Sequence, residues 1–152
     1  MSRIAGLAYM KTTYPRCCKT HAGEKITLQE KQSRIVFSNP QKEKNIIFTI
    51  DGCAVADSVT RRCDYLLYDS NETEHFIELK GRDIKHAVTQ LKTSVQKFGV
   101  KDKRKYCFIV SSRVPLAGTD IGNYKRAFKE EFKAILQIKN DVIKHSLPSP
   151  TQ

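Results

Sequence analysis

The sequence predicts an α/β domain, a central mixed sheet flanked by helices, and three observations carry that reading. Short β-branched and aromatic runs at 45–50, 63–68 and 75–80 are separated by turn residues. From Asp83 the hydrophobic period lengthens to that of a helix. A wholly apolar run, 106–111, then falls between two amphipathic stretches, as expected of a strand in a sheet centre.

Taken in order, residues 1–23 show no clear period, and the polar stretch 24–34 reads as a short helix carrying Glu24 and Glu30. Asn39-Pro40 marks a turn. Asn45–Ile50 is a strand ended by Asp51-Gly52, and 63–68 with 75–80 form a hairpin across Asp69-Ser70-Asn71. After Gly81, Ile84, Ala87, Val88, Leu91, Val95 and Phe98 make one apolar stripe, with Asp83 as N-cap and Gly99 as stop. A second amphipathic helix is expected over 123–139, with Tyr124, Phe128, Phe132, Ile135 and Leu136 inward. The tail from Leu147 to Gln152 holds Pro148 and Pro150 and is expected to fray.

The 152 residues fit a single domain, 1–152, with a core over about 45–111. No apolar run approaches the roughly 20 residues of a membrane span, and Lys11 interrupts the short apolar start, so a cytoplasmic protein is expected. Five cysteines in such a chain are most simply reduced thiols, and Cys17, Cys18 and His21 lack the four-ligand spacing of a zinc site. The net charge of +11 is unevenly spread: residues 1–79 carry +1 and residues 80–152 carry +10. Clustered Lys and Arg point to a polyanion, nucleic acid above all.

The chemistry concentrates in Ile77-Glu78-Leu79-Lys80-Gly81. On a strand, Glu78 and Lys80 share one face. A carboxylate beside an ammonium in an apolar strand carries a desolvation cost that packing alone does not demand. Asp64 opens the neighbouring apolar run, so pairing of the two strands would bring two carboxylates together beside Lys80. Two carboxylates with waters and phosphate oxygens suit Mg²⁺, with the Leu79 carbonyl as a further ligand. Asp51 and Asp57 are rivals for the first carboxylate, and Glu24 or Glu30 could add another. Arg61 and Arg62 precede the Asp64 strand, while Arg82 and Lys85 open the helix beside Lys80; these four are the candidate phosphate contacts. The basic run Lys101, Lys103, Arg104, Lys105 reads as a loop with a possible backbone contact. His75, His86 and His145 have no partner at a recognisable spacing.

Asp64, then Glu78-Leu79-Lys80, then a helix opening at Asp83 resembles the PD-(D/E)xK, or restriction-endonuclease-like, nuclease superfamily. The resemblance covers about 45–111 and implies a restriction-endonuclease-like core. Asp64 and Glu78 would be metal ligands, Lys80 a catalytic cation, and Gln90, on the helix after the motif, a further catalytic residue. Cys63 stands where the family often has proline, and Ser94 rather than tyrosine lies four after Gln90. The implied activity is Mg²⁺-dependent phosphodiester hydrolysis, with Mn²⁺ able to substitute and DNA favoured over RNA, in a setting such as phage defence or repair. So small a nuclease implies a homodimer mate, a helicase or a recognition partner. The rival is an inactive nuclease-fold module that binds nucleic acid for a partner.

Overall fold

The structure, a computed structural model, describes residues 5–79, 83–112 and 117–150. Helix α1 (Leu7–Thr13) leads into β1 (Cys18–His21), β2 (Lys25–Glu30), β3 (Ser33–Ser38), β4 (Asn45–Thr49), β5 (Tyr65–Tyr68) and β6 (Glu74–Leu79). Then come α2 (Ile84–Phe98), β7 (Lys105–Ser111), α3 (Gly118–Phe132), β8 (Ala134–Asn140) and β9 (Val142–Ser146).

The central sheet is mixed, in the order β1-β4-β5-β6-β7-β8. Its first four strands pair antiparallel, whereas β6, β7 and β8 run parallel. Every residue of β6 and β7 is buried. That is why β7 reads as a continuous apolar run rather than an alternating one, whereas β6 buries Glu74, His75 and Glu78 among its apolar residues. One face is covered by the helices, with Met10, Phe76, Leu91, Phe98, Ile109 and Phe128 in a common core. The other is covered by a second sheet, β2-β3-β9, whose Ile26, Ile35, Phe37 and Ile143 pack on Leu67, Ile77 and Phe108.

Helix α2 forms where its stripe predicts. Asp83 caps it by accepting the His86 N–H at 3.0 Å. At its end a Cβ on Gly99 would lie 2.6 Å from the Val95 carbonyl oxygen, so only glycine fits.

Three expectations are corrected. Residues 24–34 are not a helix: they form the β2–β3 hairpin, in register from Lys25↔Ser38 to Glu30↔Ser33. Ile26 and Leu28, and Ile35 and Phe37, recur at the strand period of two and supply the apolar face that covers the central sheet. The second long helix does not reach 139. It ends at Phe132, Lys133 adopts a left-handed φ of 55°, and the chain becomes β8. Ala134, Leu136 and Ile138 then point inward at period two. The tail through residue 150 does not fray: Leu147 and Ser149 are buried, and the Leu147 N–H donates to Ser38 at 2.8 Å.

The cysteine reading is also corrected. Cys17 and Cys53 form a disulfide, with their Cα atoms 5.8 Å apart, while Cys18, Cys63 and Cys107 are free thiols. The bond ties the start of β1 to the loop after β4 and removes Cys17 from any zinc site. Among the described residues no helix is long and apolar enough to cross a membrane.

Two buried polar clusters lock the layers together. Glu74, on the helix face of β6, accepts the Val100 N–H at 3.1 Å and lies 3.7 Å from the Lys105 ammonium. Lys105 in turn donates to the carbonyls of Val100 at 3.0 Å and Lys103 at 2.5 Å. Burial raises the Glu74 pKa against the pull of Lys105, and burial lowers that of Lys105. On the opposite face His75 Nδ1 lies 3.0 Å from the Leu67 carbonyl, so Nδ1 carries the proton and Nε2 accepts. Ser149 Oγ, 2.6 Å away, therefore donates to His75 Nε2, and His145 Nε2, at 2.5 Å, donates to Ser149 Oγ. Asp69 completes the latch by accepting the Ser149 N–H at 2.9 Å.

Lys105→Met leaves the Glu74 carboxylate alone in the core and is expected to cost about 3–5 kcal/mol in urea unfolding. Adding Glu74→Leu should recover most of that loss.

The latch gives a pH dependence. Burial, with His75 beside it, lowers the His145 pKa to about 4, below its unfolded value of about 6.5. The folded state thus binds fewer protons, so this stability is present above about pH 6.5 and is lost as pH falls toward about 4. Urea midpoints at pH 7, 5.5 and 4.5 should fall in that order. His145→Gln, which keeps a donor but does not titrate, should flatten the decline.

Candidate active site

The hairpin delivers Asp64 and Glu78 to one end of the central sheet. Tyr65 pairs with Ile77, and Asp64, just before it, extends the ladder by donating its N–H to the Ile77 carbonyl at 3.0 Å. The Asp64 carbonyl accepts from Ile50 at 2.9 Å, so three strands fix its backbone. Its carboxylate turns to the C-terminal end of β6, where Oδ2 accepts the Leu79 N–H at 2.7 Å. Asp64 thereby sits against the residue that follows Glu78.

Glu78 is fully buried, beside Ile109 of β7. Strand alternation puts it on the helix face with Phe76. Cys63, also buried, reports on both carboxylates. Its thiol pKa is pushed far up by burial first, opposed by the Ser94 hydroxyl, and further up by the charges of Glu78 and Asp64. Both charges therefore lie within electrostatic reach of one sulfur.

Helix α2 covers this end of the sheet. Ser94 accepts the Cys63 N–H at 2.7 Å, anchoring the helix to the segment that carries Asp64. The sequence showed Ser94 only as a departure from a family pattern; the structure makes it the anchor of α2. Its signal was a small polar residue inside an apolar stripe. Gln90, one turn earlier, is buried, and its Oε1 has no hydrogen-bond partner among the described residues.

The rival acids are occupied elsewhere. Asp51 pairs with Arg62 at 2.9 Å. Asp57 accepts the Thr60 and Val59 N–H groups, which hold its carboxyl down at about 2, the Thr60 bond contributing most. Glu24 lies 3.7 Å from Lys42 on the surface. Glu30 ends β2, so neither of these two is borne by a helix.

The basic candidates divide. Arg62 turns into its own loop, donating to Asp51 at 2.9 Å, Asp57 O at 2.5 Å and Thr60 O at 2.8 Å. Arg61 is exposed and donates to His86 Nδ1 at 3.1 Å, beside the first turn of α2 where Lys85 is also exposed. Lys80 and Arg82 lie outside the described residues.

Among the described residues no three His, Cys, Asp or Glu side chains gather as a metal cluster. A magnesium-like ion does not require three, since it keeps several waters and takes one or two carboxylates with carbonyl oxygens. Asp64 and Glu78 are two buried carboxylates at one strand end, the Leu79 carbonyl follows Glu78 there, and α2 carries the Gln90 amide oxygen, so the candidate donors are all oxygens.

Compared with models of known protein families, with characterised proteins and with solved structures, the chain matches none of them.

Proposed function

We propose that this chain is a Mg²⁺-dependent nuclease with a restriction-endonuclease-like core, hydrolysing phosphodiester bonds in DNA ahead of RNA. The observation that carries the reading is the hydrogen bond from Leu79 N–H to the Asp64 carboxylate, which holds that carboxylate at the strand end occupied by buried Glu78. The donor set suits Mg²⁺ better than a soft metal, because it is entirely oxygen.

Asp64, Glu78 and the Leu79 carbonyl would hold the ion, which when bound would polarise a phosphate and lower the pKa of an attacking water. Asp64 is oriented by its backbone bond, and Glu78 by the strand itself. Gln90 offers its amide oxygen from α2. Lys80, next in sequence to Leu79, supplies a fixed positive charge for the developing negative charge on phosphorus. Arg61 and Lys85 would steer the phosphate backbone toward the first turn of α2, with Arg82 in sequence between Lys80 and Lys85. Arg62 supports that track by holding its loop. A homodimer mate, a helicase or a recognition subunit would supply the sequence selection that so small a chain has little surface for.

The burial of both carboxylates favours a second reading, an inactive module of the same fold that binds nucleic acid for a partner. Incubation with plasmid, linear DNA and RNA in Mg²⁺, Mn²⁺ or EDTA separates the two: a binder keeps salt-sensitive affinity and cuts nothing.

Asp64→Asn and Glu78→Gln keep shape while removing charge. Each is expected to abolish metal-dependent cleavage and weaken metal binding by calorimetry, with no loss of thermal stability. Wild-type rates in either variant would place the chemistry elsewhere. Lys80→Ala should bind metal normally and cleave about 100-fold more slowly.

Gln90→Leu replaces a buried amide that lacks an acceptor's partner with an apolar group. Thermal stability should hold or rise while cleavage drops about tenfold or more. A matching loss of stability would make Gln90 a packing residue.

A further inference from the structure

A cleft with a mostly basic rim lies away from the carboxylates. Open, and about 810 Å³ in volume, it runs along the edge strand β8 beneath the last turns of α3. Arg104, from the loop before β7, faces Lys125, Lys129 and Lys133 across it, and Asp102 is the one acidic residue in its lining. The three lysines are exposed; Lys125 and Lys129 lie one turn apart on one side of α3, and Lys133 is the left-handed residue just past its end. Lys125 and Lys129 are about 6 Å apart along the axis. That is the axial length of about two nucleotides of one strand.

The cleft sits at the other pole of the sheet from Asp64 and Glu78. Lys105 pairs with Ala134 at the N-terminal ends of β7 and β8, whereas Leu79 pairs with Val110 near the C-terminal ends. Five strand residues separate the two levels, about 16 Å. The cleft is completed by residues 134–137 of β8. Its size falls in the range that seats a drug-sized ligand, well beyond one phosphate ion.

From this juxtaposition we infer that the cleft formed by Arg104, Lys125, Lys129 and Lys133 is a second nucleic-acid site, which holds the phosphodiester backbone of a strand at a distance from the cleavage site. The inference rests on the nucleic-acid reading above and extends it. The four basic side chains take the phosphates. The loop run at 101–105, expected from sequence to touch a backbone at most, contributes through Arg104, because Lys105 is buried against Glu74.

The test measures binding by the full-length chain in EDTA, where no cleavage is needed. Labelled single-stranded and duplex 20-mers are titrated by fluorescence anisotropy across a range of NaCl, with circular dichroism confirming the fold. Lys125→Gln with Lys129→Gln is expected to reduce the slope of log affinity against log salt by about 1.4 on single strands and about 1.8 on duplex. Lys11→Gln with Lys25→Gln, two exposed lysines outside the cleft, should leave the slope nearly unchanged.

An unchanged slope in the cleft variant overturns the inference, as does the absence of salt-dependent binding by the wild type. Poly-glutamate displacing the oligonucleotide at equal charge overturns it in favour of an acidic protein ligand. Failure of the nuclease reading looks different: no cleavage in Mg²⁺ or Mn²⁺ while the slope change persists. Failure of the cleft alone leaves cleavage intact and the slope unmoved.

Discussion

Strands β6 and β7 are buried along their whole length, and a strand buried on both faces needs a cover on each side. The rest of the molecule follows from that requirement. Three helices cover one face and the small sheet β2-β3-β9 covers the other. Yet β6 also carries Glu74, His75 and Glu78 inside this sandwich. Each buried polar group demands a local answer, because an unpaired charge in a dry core costs far more than a hydrophobic contact returns. Glu74 is answered by Lys105 and the Val100 N–H, and His75 by Leu67, Ser149 and His145. Glu78 lies on the helix face at the C-terminal end of β6, where Asp64 accepts the N–H of the next residue, Leu79.

The two structural answers also hold the chain's distant parts together. The first ties the loop after α2 to the sheet, and so sets where β7 begins. The second carries the C-terminal segment across β5 and β6, linking residues 74 positions apart. The disulfide from Cys17 to Cys53 works similarly at the other edge, steadying the loop whose Asp51 and Arg62 lead into Asp64. With its approach segment tied down and its side chain bonded to Leu79, Asp64 is held by the frame rather than by chance packing.

Charge is arranged along the parallel strands. Their C-terminal level holds the acidic pair, with Arg61 and Lys85 at the adjoining helix start. Their N-terminal level opens into the lysine-lined cleft under α3. The net +10 of the second half of the chain is thus not spread over one solvated face. Part is neutralised inside, as with Lys105, and part is aligned at one-turn spacing on α3.

The elements with a single strong period were legible without coordinates. The stripe from Ile84 to Phe98, its Asp83 cap and its Gly99 stop formed as read, as did the hairpin around Asp69 and the apolar strand at 106–111. Residues 24–34 and 134–140 were misread because a short strand and one helical turn can share the same apolar positions. Only the sheet face waiting to be covered, or the edge of β7 waiting for a neighbour, decides between them. The candidate residues Asp64 and Glu78 could be named from the chain, since a carboxylate inside an apolar run is visible there, and Gln90 only through the family resemblance. The hydrogen bond from Leu79 to Asp64, the Ser94 anchor, the disulfide and the His75–Ser149–His145 latch could not. Each joins residues far apart in sequence, and whether such pairs meet is set by strand order and register, which no local pattern encodes.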